Sequence, residues 1–151
     1  NGSVNGGDAA NIKRRFDRGE SSILLGTGSF WEGVDFSHQN EVIQIITRLP
    51  FDNPKEFMVQ KVNAQLRDQG KNPFYDYSLP VAILRLKQAI GRTSRSDEQE
   101  SLVLLLDQRV LTKRYGKQIL DGLKQVLPLQ TTLKSQLVDQ AQHFFERNRE
   151  K

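Results

Sequence analysis

The sequence predicts an α/β fold of three layers, in which helices cover both faces of a mostly parallel β-sheet. Short apolar runs, typical of buried strands, alternate with longer segments of helical periodicity. The composition agrees, because 36% apolar and 26% charged residues in a chain of 151 are the proportions of a globular domain with a substantial core. Few strands are visible and a helix precedes them. The chain is therefore expected to be the rear part of a larger α/β unit, incomplete at its N-terminal end.

The first predicted element is a helix that follows a flexible start. Residues 1–7 contain mostly Gly and Asn, which favour a loop. Apolar residues at positions 9, 12 and 16 then share one helical face, with Asp8 as the N-cap and Gly19 as the end. The apolar run 23–25 follows. It is bounded by turn residues, which favours a strand buried on both faces.

The middle of the chain predicts a second strand and a long helix. The run 42–47 is rich in β-branched residues and stops at the Arg-Leu-Pro sequence 48–50. Pro54 suits the first turn of a helix, and Gly70 suits its end. Residues 71–80 contain two prolines and predict a loop. Its three aromatic side chains either pack on the following helix or stack on nucleic-acid bases; they are Phe74, Tyr75 and Tyr77.

The second half of the chain predicts three helices and the strongest strand. Residues 81–90 are apolar and helical, with Ser78 as a candidate N-cap. The run 102–106 is the most hydrophobic of the chain and predicts a buried strand. The remaining elements are a helix at 115–126, ended by Pro128, and a last helix at 133–144.

The composition excludes several classes of site. Cysteine is absent, so this chain offers no disulfide, thiolate zinc site, iron–sulfur cluster or cysteine nucleophile, and two histidines leave little for a metal. There is no signal-like start and no apolar run long enough to span a membrane, so an intracellular protein is expected. The net charge of +4 fits a polyanionic partner or a solvated basic surface equally well.

The segment 28–36 looks at first like a phosphate-binding loop. Gly28 and Gly33 have the spacing of that loop, but Val34 and Asp35 stand where its lysine and hydroxyl residue belong. An acid at that point repels phosphate, so this is not such a loop. Its polar and aromatic side chains indicate a surface for nucleic acid; they are Ser29, Phe30, Trp31 and Asp35. The alternative is that the tryptophan belongs to the core.

The segment 88–95 places Gln88, Arg92 and Arg95 at i, i+4 and i+7, which is one face of a helix. Two guanidiniums one turn apart form a fork suited to the phosphates of a nucleotide. The glutamine can position a water or a phosphate oxygen, and Gly91 allows close approach of a partner backbone. The alternative is a solvated helix end whose arginines complement the helix dipole.

Taken together, these segments carry a family resemblance. GSFWEGVDF at 28–36, ITRLPF at 46–51, QAIGRTSR at 88–95 and LVLLLD at 102–107 resemble the second motor lobe of superfamily 2 helicases of the XPD/DinG type, bacterial DinG helicases in particular. The resemblance implies a RecA-like, P-loop NTPase-like fold over 8–127, with 128–151 as a C-terminal helix packed on the lobe. The chain departs from its relatives at Thr93 and Ser94, where they commonly carry apolar residues.

The resemblance also implies roles for individual residues. Arg92 and Arg95 match the arginines that contact the nucleotide phosphates, with Arg95 as the finger, and Gln88 matches the glutamine near the γ-phosphate. Asp35 matches an acid that approaches the ribose. The other residues expected at the nucleotide are Gly33 and Gly91. The residues expected to face single-stranded DNA are Ser29, Phe30, Trp31, Arg48 and Phe51.

The implied activity is ATP-dependent DNA unwinding by the full-length protein, with this chain inactive alone. ATP and Mg²⁺ would be held mainly by the N-terminal motor lobe of the same polypeptide, and no iron–sulfur cluster is expected in this chain. A bacterial cytoplasmic protein is implied, with a fused 3′–5′ exonuclease in some relatives. Two alternatives remain: a non-catalytic helicase-like module that binds nucleic acid or protein, and an unrelated nucleotide-binding α/β domain.

Overall fold

The computed structural model describes residues 11, 14–15, 17–18, 41–91 and 100–149. The N-terminal residues among these are helical at 11, 14, 15 and 17, as the pattern after Asp8 predicts. The predicted strand 23–25 and the segment 28–36 lie outside the described residues.

Two parallel strands form the sheet of the described part. Strand β1 (Glu41–Ile46) pairs with β2 (Glu100–Leu105) in a register that runs from Glu41 opposite Glu100 to Ile46 opposite Leu105. The predicted α/β class with parallel pairing is therefore confirmed. Because both strands run the same way, their carboxyl ends meet at one edge, and the N–H of Leu106 extends the pairing to the Ile46 carbonyl at 2.9 Å.

Helix α1 (Phe57–Asp68) follows the loop after β1. It begins three residues after Pro54, and it ends as predicted at Gly70, whose φ of 73° lies in the left-handed region. The N–H groups of Gly70 and Lys71 donate to the carbonyls of Arg67 and Leu66, both at 2.9 Å. A residue other than glycine would be strained at this position.

The prediction of a loop at 71–80 is wrong, because Phe74–Ser78 form a π-helical turn that continues into helix α2 (Leu79–Ile90). The cap lies further upstream than predicted. The Asn72 side chain accepts the N–H groups of Phe74 and Tyr75 at 3.0 and 3.1 Å, and the Asp76 carboxylate accepts the N–H of Asn72 at 2.7 Å. Ser78 itself has helical backbone angles, and its side chain makes no capping hydrogen bond.

The core of the described part lies where α2 packs on the helices after β2. These are the short α3 (Arg109–Thr112), which the sequence did not predict, and α4 (Gly116–Lys124). The side chains of Leu79, Leu86 and Ile119 are fully buried in this core. A 3₁₀ turn (Lys134–Gln136) then leads into the last helix, α5 (Leu137–Arg149). In the part of the chain that the structure describes, no helix has the length and apolar character to cross a membrane.

Candidate functional site

The exits of the two strands are joined by a hydrogen bond between the backbone of one and a side chain of the other. The N–H of Leu49 donates to Oδ2 of Asp107 at 2.8 Å, across 58 positions of sequence. Leu49 is itself buried, with 4% of its surface exposed. In parallel α/β sheets ligands bind at the carboxyl edge of the strands, so this contact organises the edge where a site is expected.

Asp107 forms a fork-like ion pair with Arg109. Its Oδ1 accepts the Arg109 backbone N–H and Nε–H, both at 3.0 Å, and its Oδ2 accepts from Nη2 at 2.6 Å. The hydrogen-bonded guanidinium, helped by the backbone N–H groups of Leu49 and Arg109, holds the pKa of Asp107 well below its ordinary value, against the opposing effect of burial. The same pair raises the pKa of Arg109. Asp107 is therefore a fixed carboxylate anchor and not a proton carrier.

We expect Asp107→Asn to lower the free energy of unfolding by about 2 kcal/mol at pH 7, because charged hydrogen bonds to two strand exits are lost. The pKa of Asp107 is lower in the folded chain than in the unfolded chain. Its contribution is therefore complete above the unfolded value of about 4, declines as the pH falls below it, and is lost only as the pH falls through the much lower folded value. Urea unfolding of both proteins between pH 7 and pH 3 measures this difference.

The matched control for this prediction is Asp121→Asn, since Asp121 is 55% exposed and lies 3.8 Å from Lys124 in an ordinary surface pair. Its effect should stay within about 0.5 kcal/mol at every pH. A loss at Asp107 no larger than at Asp121, or one that persists unchanged at pH 3, would contradict the anchor role.

An aromatic cluster surrounds Phe51 in the loop after β1. The rings of Phe51 and Phe74 lie 5.6 Å apart, and Tyr115 meets their edges at 5.8 and 5.0 Å. The Arg109 guanidinium lies 5.6 Å from the centre of the Phe51 ring. Phe74 therefore packs against the core with Phe51 and Tyr115 as ring partners, whereas the stated packing alternative was the following helix. Phe51 is half-buried in the same cluster, and its contact with DNA stays a prediction.

A third contact ties the same loop to α2. Nη1 of Arg85 donates to the Pro50 carbonyl at 3.2 Å and to Oδ1 of Asp52 at 2.5 Å. Both side chains are partly accessible, 28% for Arg85 and 27% for Asp52. The loop 47–52 is therefore held at two places, by Asp107 after β2 and by Arg85 of the helix that carries Gln88.

The structure places four of the predicted site residues. Gln88 is exposed on the last turn of α2, and Gly91 caps that helix through its N–H, which donates to the Lys87 carbonyl at 2.9 Å. Arg48 is exposed just after β1, and Phe51 lies in the aromatic cluster. The other predicted site residues lie outside the described residues: Ser29, Phe30, Trp31, Gly33, Asp35, Arg92 and Arg95. Their positions relative to Gln88 stay predictions.

Several residues that build this edge were missed by sequence reasoning. Asp107 and Arg109 follow the most hydrophobic run of the chain. An acid and a base two positions apart at the end of a strand could have indicated their ion pair from the sequence. The partnership of Arg85 with Asp52 had no local signal, because 33 positions separate them. Among the described residues, no group of three or more histidines and carboxylates could hold a metal ion.

The described strands and helices define a parallel α/β fold, the class of fold in which ligands bind at the carboxyl edge of the strands. The profile of the family described as helicase C-terminal domain matches residues 4–126. The chain therefore belongs to the helicase C-terminal domain family, with relatives of the DinG and YoaA type. The fold is accordingly an α/β RecA-like lobe.

The relatives are enzymes much longer than this chain. It is 39% identical to the 3′–5′ exonuclease DinG of Bacillus subtilis over 80% of the chain and 13% of that protein. It is 40% identical to the ATP-dependent DNA helicase DinG of Photobacterium profundum over 70% of the chain and 15% of that protein. It is 36% identical to the ATP-dependent DNA helicase YoaA of Haemophilus influenzae over 74% of the chain and 18% of that protein. The chain thus spans less than a fifth of the length of these relatives.

Proposed function

We propose that this chain is the C-terminal motor lobe of an ATP-dependent DNA helicase of the DinG type. The family match and the activities named for the helicase relatives support the reaction. The observation that carries the proposal within the structure is the junction at the carboxyl edge. There Arg85 joins the helix that carries Gln88 to the loop that carries Arg48 and Phe51.

On the nucleotide side, ATP would bind between this lobe and the N-terminal lobe of the full-length protein. Arg92 and Arg95 would supply positive charge to the phosphoryl group during transfer, with Arg95 as the finger, and Gln88 would orient the γ-phosphate or the attacking water. Asp35 and Gly33 would contact the ribose side, and Gly91 would allow close approach. Mg²⁺ would be held mainly by the other lobe.

On the DNA side, single-stranded DNA would pass along the segment 29–31 and the loop after β1. Ser29 and Arg48 would contact phosphates, and the aromatic residues Phe30, Trp31 and Phe51 would stack on bases. ATP-driven closing and opening of the two lobes would then move the strand. The exposure of Arg48 at the carboxyl edge supports this assignment.

The experiment compares the full-length protein with this chain alone. The full-length protein should hydrolyse ATP faster when single-stranded DNA is added, whereas the isolated chain should hydrolyse ATP no faster than buffer. The isolated chain should bind single-stranded DNA weakly, with an affinity that falls as salt rises, because the contacts are to phosphates. ATP turnover that follows the isolated chain through purification, or DNA binding independent of salt, would contradict the proposal.

The second candidate is a non-catalytic helicase-like module that binds nucleic acid beside an exonuclease. The observation that favours it is the similarity to the Bacillus subtilis relative, which is named a 3′–5′ exonuclease. In that case the full-length protein would bind single-stranded DNA and show no ATP hydrolysis that DNA stimulates. The same assay therefore separates the two candidates.

A further inference from the structure

We propose that Arg85 is a positioning residue that couples nucleotide binding to DNA binding, by tying the second half of the loop 47–52, residues 50–52, to helix α2. This inference rests on the proposed function and deepens it. Arg85 itself contacts neither ligand in the proposal. It acts through the loop on one side and through the last turn of α2 on the other.

The position of Arg85 in α2 supports this role. Gln88 lies three positions after Arg85, which is about one helical turn, so the two side chains belong to one rigid segment. The helix is anchored by Ala82 and Leu86, both with 0% of their surface exposed. A displacement of the Gln88 end by nucleotide would therefore move Arg85 with it.

The contacts of Arg85 fall on the part of the loop that Asp107 does not hold. Asp107 fixes the backbone at Leu49, in the first half of the loop. Arg85 holds the Pro50 carbonyl and the Asp52 carboxylate, which flank Phe51. Phe51 packs on Phe74, at the start of the turn that leads into α2. The second half of the loop is thus held against α2 and its preceding turn, and Arg85 supplies the polar contacts.

The exposure of the pair indicates that its main contribution is not to stability. Both side chains keep more than a quarter of their surface accessible, and exposed ion pairs of this kind stabilise a fold only slightly. Removing Arg85 should therefore leave the lobe folded. The loop and the helix would then move independently, and each ligand would lose its influence on the other.

The experiment measures the affinity of the full-length protein for single-stranded DNA with and without a non-hydrolysable ATP analogue. In the wild type the analogue should shift the dissociation constant. In Arg85→Ala that shift should shrink by about fivefold or more, while the affinity for DNA in the absence of nucleotide stays within about twofold. By thermodynamic linkage, the effect of DNA on the affinity for the analogue should shrink by the same factor. A merely structural role would instead weaken both binding events alone.

Two further variants sharpen the test. Lys87→Ala is the matched control, because Lys87 lies on the same helix but its Nζ donates to Gln125 at 3.0 Å and not to the loop. It should keep the wild-type shift. Arg85→Asp should lose the shift, and the double variant Arg85→Asp with Asp52→Arg should recover part of it, since the pair is restored with reversed charges.

The outcomes separate the inference from the function on which it rests. A wild type whose ATP hydrolysis DNA does not stimulate would overturn the proposed function. A stimulated wild type beside an Arg85→Ala variant with an unreduced shift would overturn the coupling role alone. An equal loss in Lys87→Ala would also overturn it, because the effect would then belong to α2 in general.

Discussion

Replacing Arg95 with alanine in the full-length protein is expected to reduce DNA-stimulated ATP hydrolysis by about 10³-fold or more. In the proposed function Arg95 places a guanidinium against the phosphoryl group as its charge develops, and such an arginine finger is typically worth about 10³–10⁵ in rate. Steady-state hydrolysis at saturating single-stranded DNA measures the loss. Thermal unfolding of the variant should match that of the wild type.

Two comparison variants give this result its meaning. Arg95→Lys should stay strongly impaired, because lysine keeps the charge but lacks the planar fork that matches a phosphate. Arg114→Ala removes an exposed arginine from the connection between α3 and α4 and should leave the rate within about twofold. An unchanged rate in Arg95→Ala would mean that Arg95 is structural, or that the lobe is a binding module without a part in the chemistry.

The sequence predicted the elements whose signals are local. The run 102–106 is purely apolar, and the structure has the predicted strand there, β2 at Glu100–Leu105, since a parallel strand needs no alternation of polar residues. The predicted burial is wrong for the described part, because residues 101–105 are only half-buried and Leu106 is exposed. Helix α1 ends near Gly70 as predicted, because glycine is favoured at a backbone position with positive φ. The family was also readable in advance, because its motifs occur in a fixed order that chance matches do not reproduce.

Features that depend on distant partners were not predictable in the same way. The 71–80 segment was expected to be a loop because of its prolines. The structure shows that Asn72 and Asp76 cap a helical turn there, while Phe74 is drawn into contact with Phe51 and Tyr115. Likewise, Leu49 and Asp107 become partners only once β1 and β2 lie side by side. Such contacts follow from the tertiary packing, and no periodicity reports them.

Gly116→Ala is expected to destabilise the chain by about 3 kcal/mol, the upper range for forcing an extra methyl into a packed interior. A Cβ at Gly116 would lie 1.9 Å from the carbonyl oxygen of Val110 and 2.6 Å from its carbonyl carbon. These are backbone atoms, so no side-chain rotation can relieve the clash, and α4 must move away from α3. Because α3 begins at Arg109, the shift would also disturb the anchor at Asp107.

A second glycine of α4 supplies the control that isolates this clash. Gly122→Ala gains helix propensity of about 1 kcal/mol, since Gly122 lies in the interior of α4. Its new methyl would meet a side-chain atom, Cγ2 of Ile83 at 2.9 Å, and that side chain can adjust. Its unfolding free energy should therefore stay within about 1 kcal/mol of the wild type. Urea unfolding of both variants decides between two explanations. Equal stabilities would show that α3 and α4 separate easily, whereas a large difference would show that backbone contact at Gly116 sets the spacing on which the carboxyl edge is built.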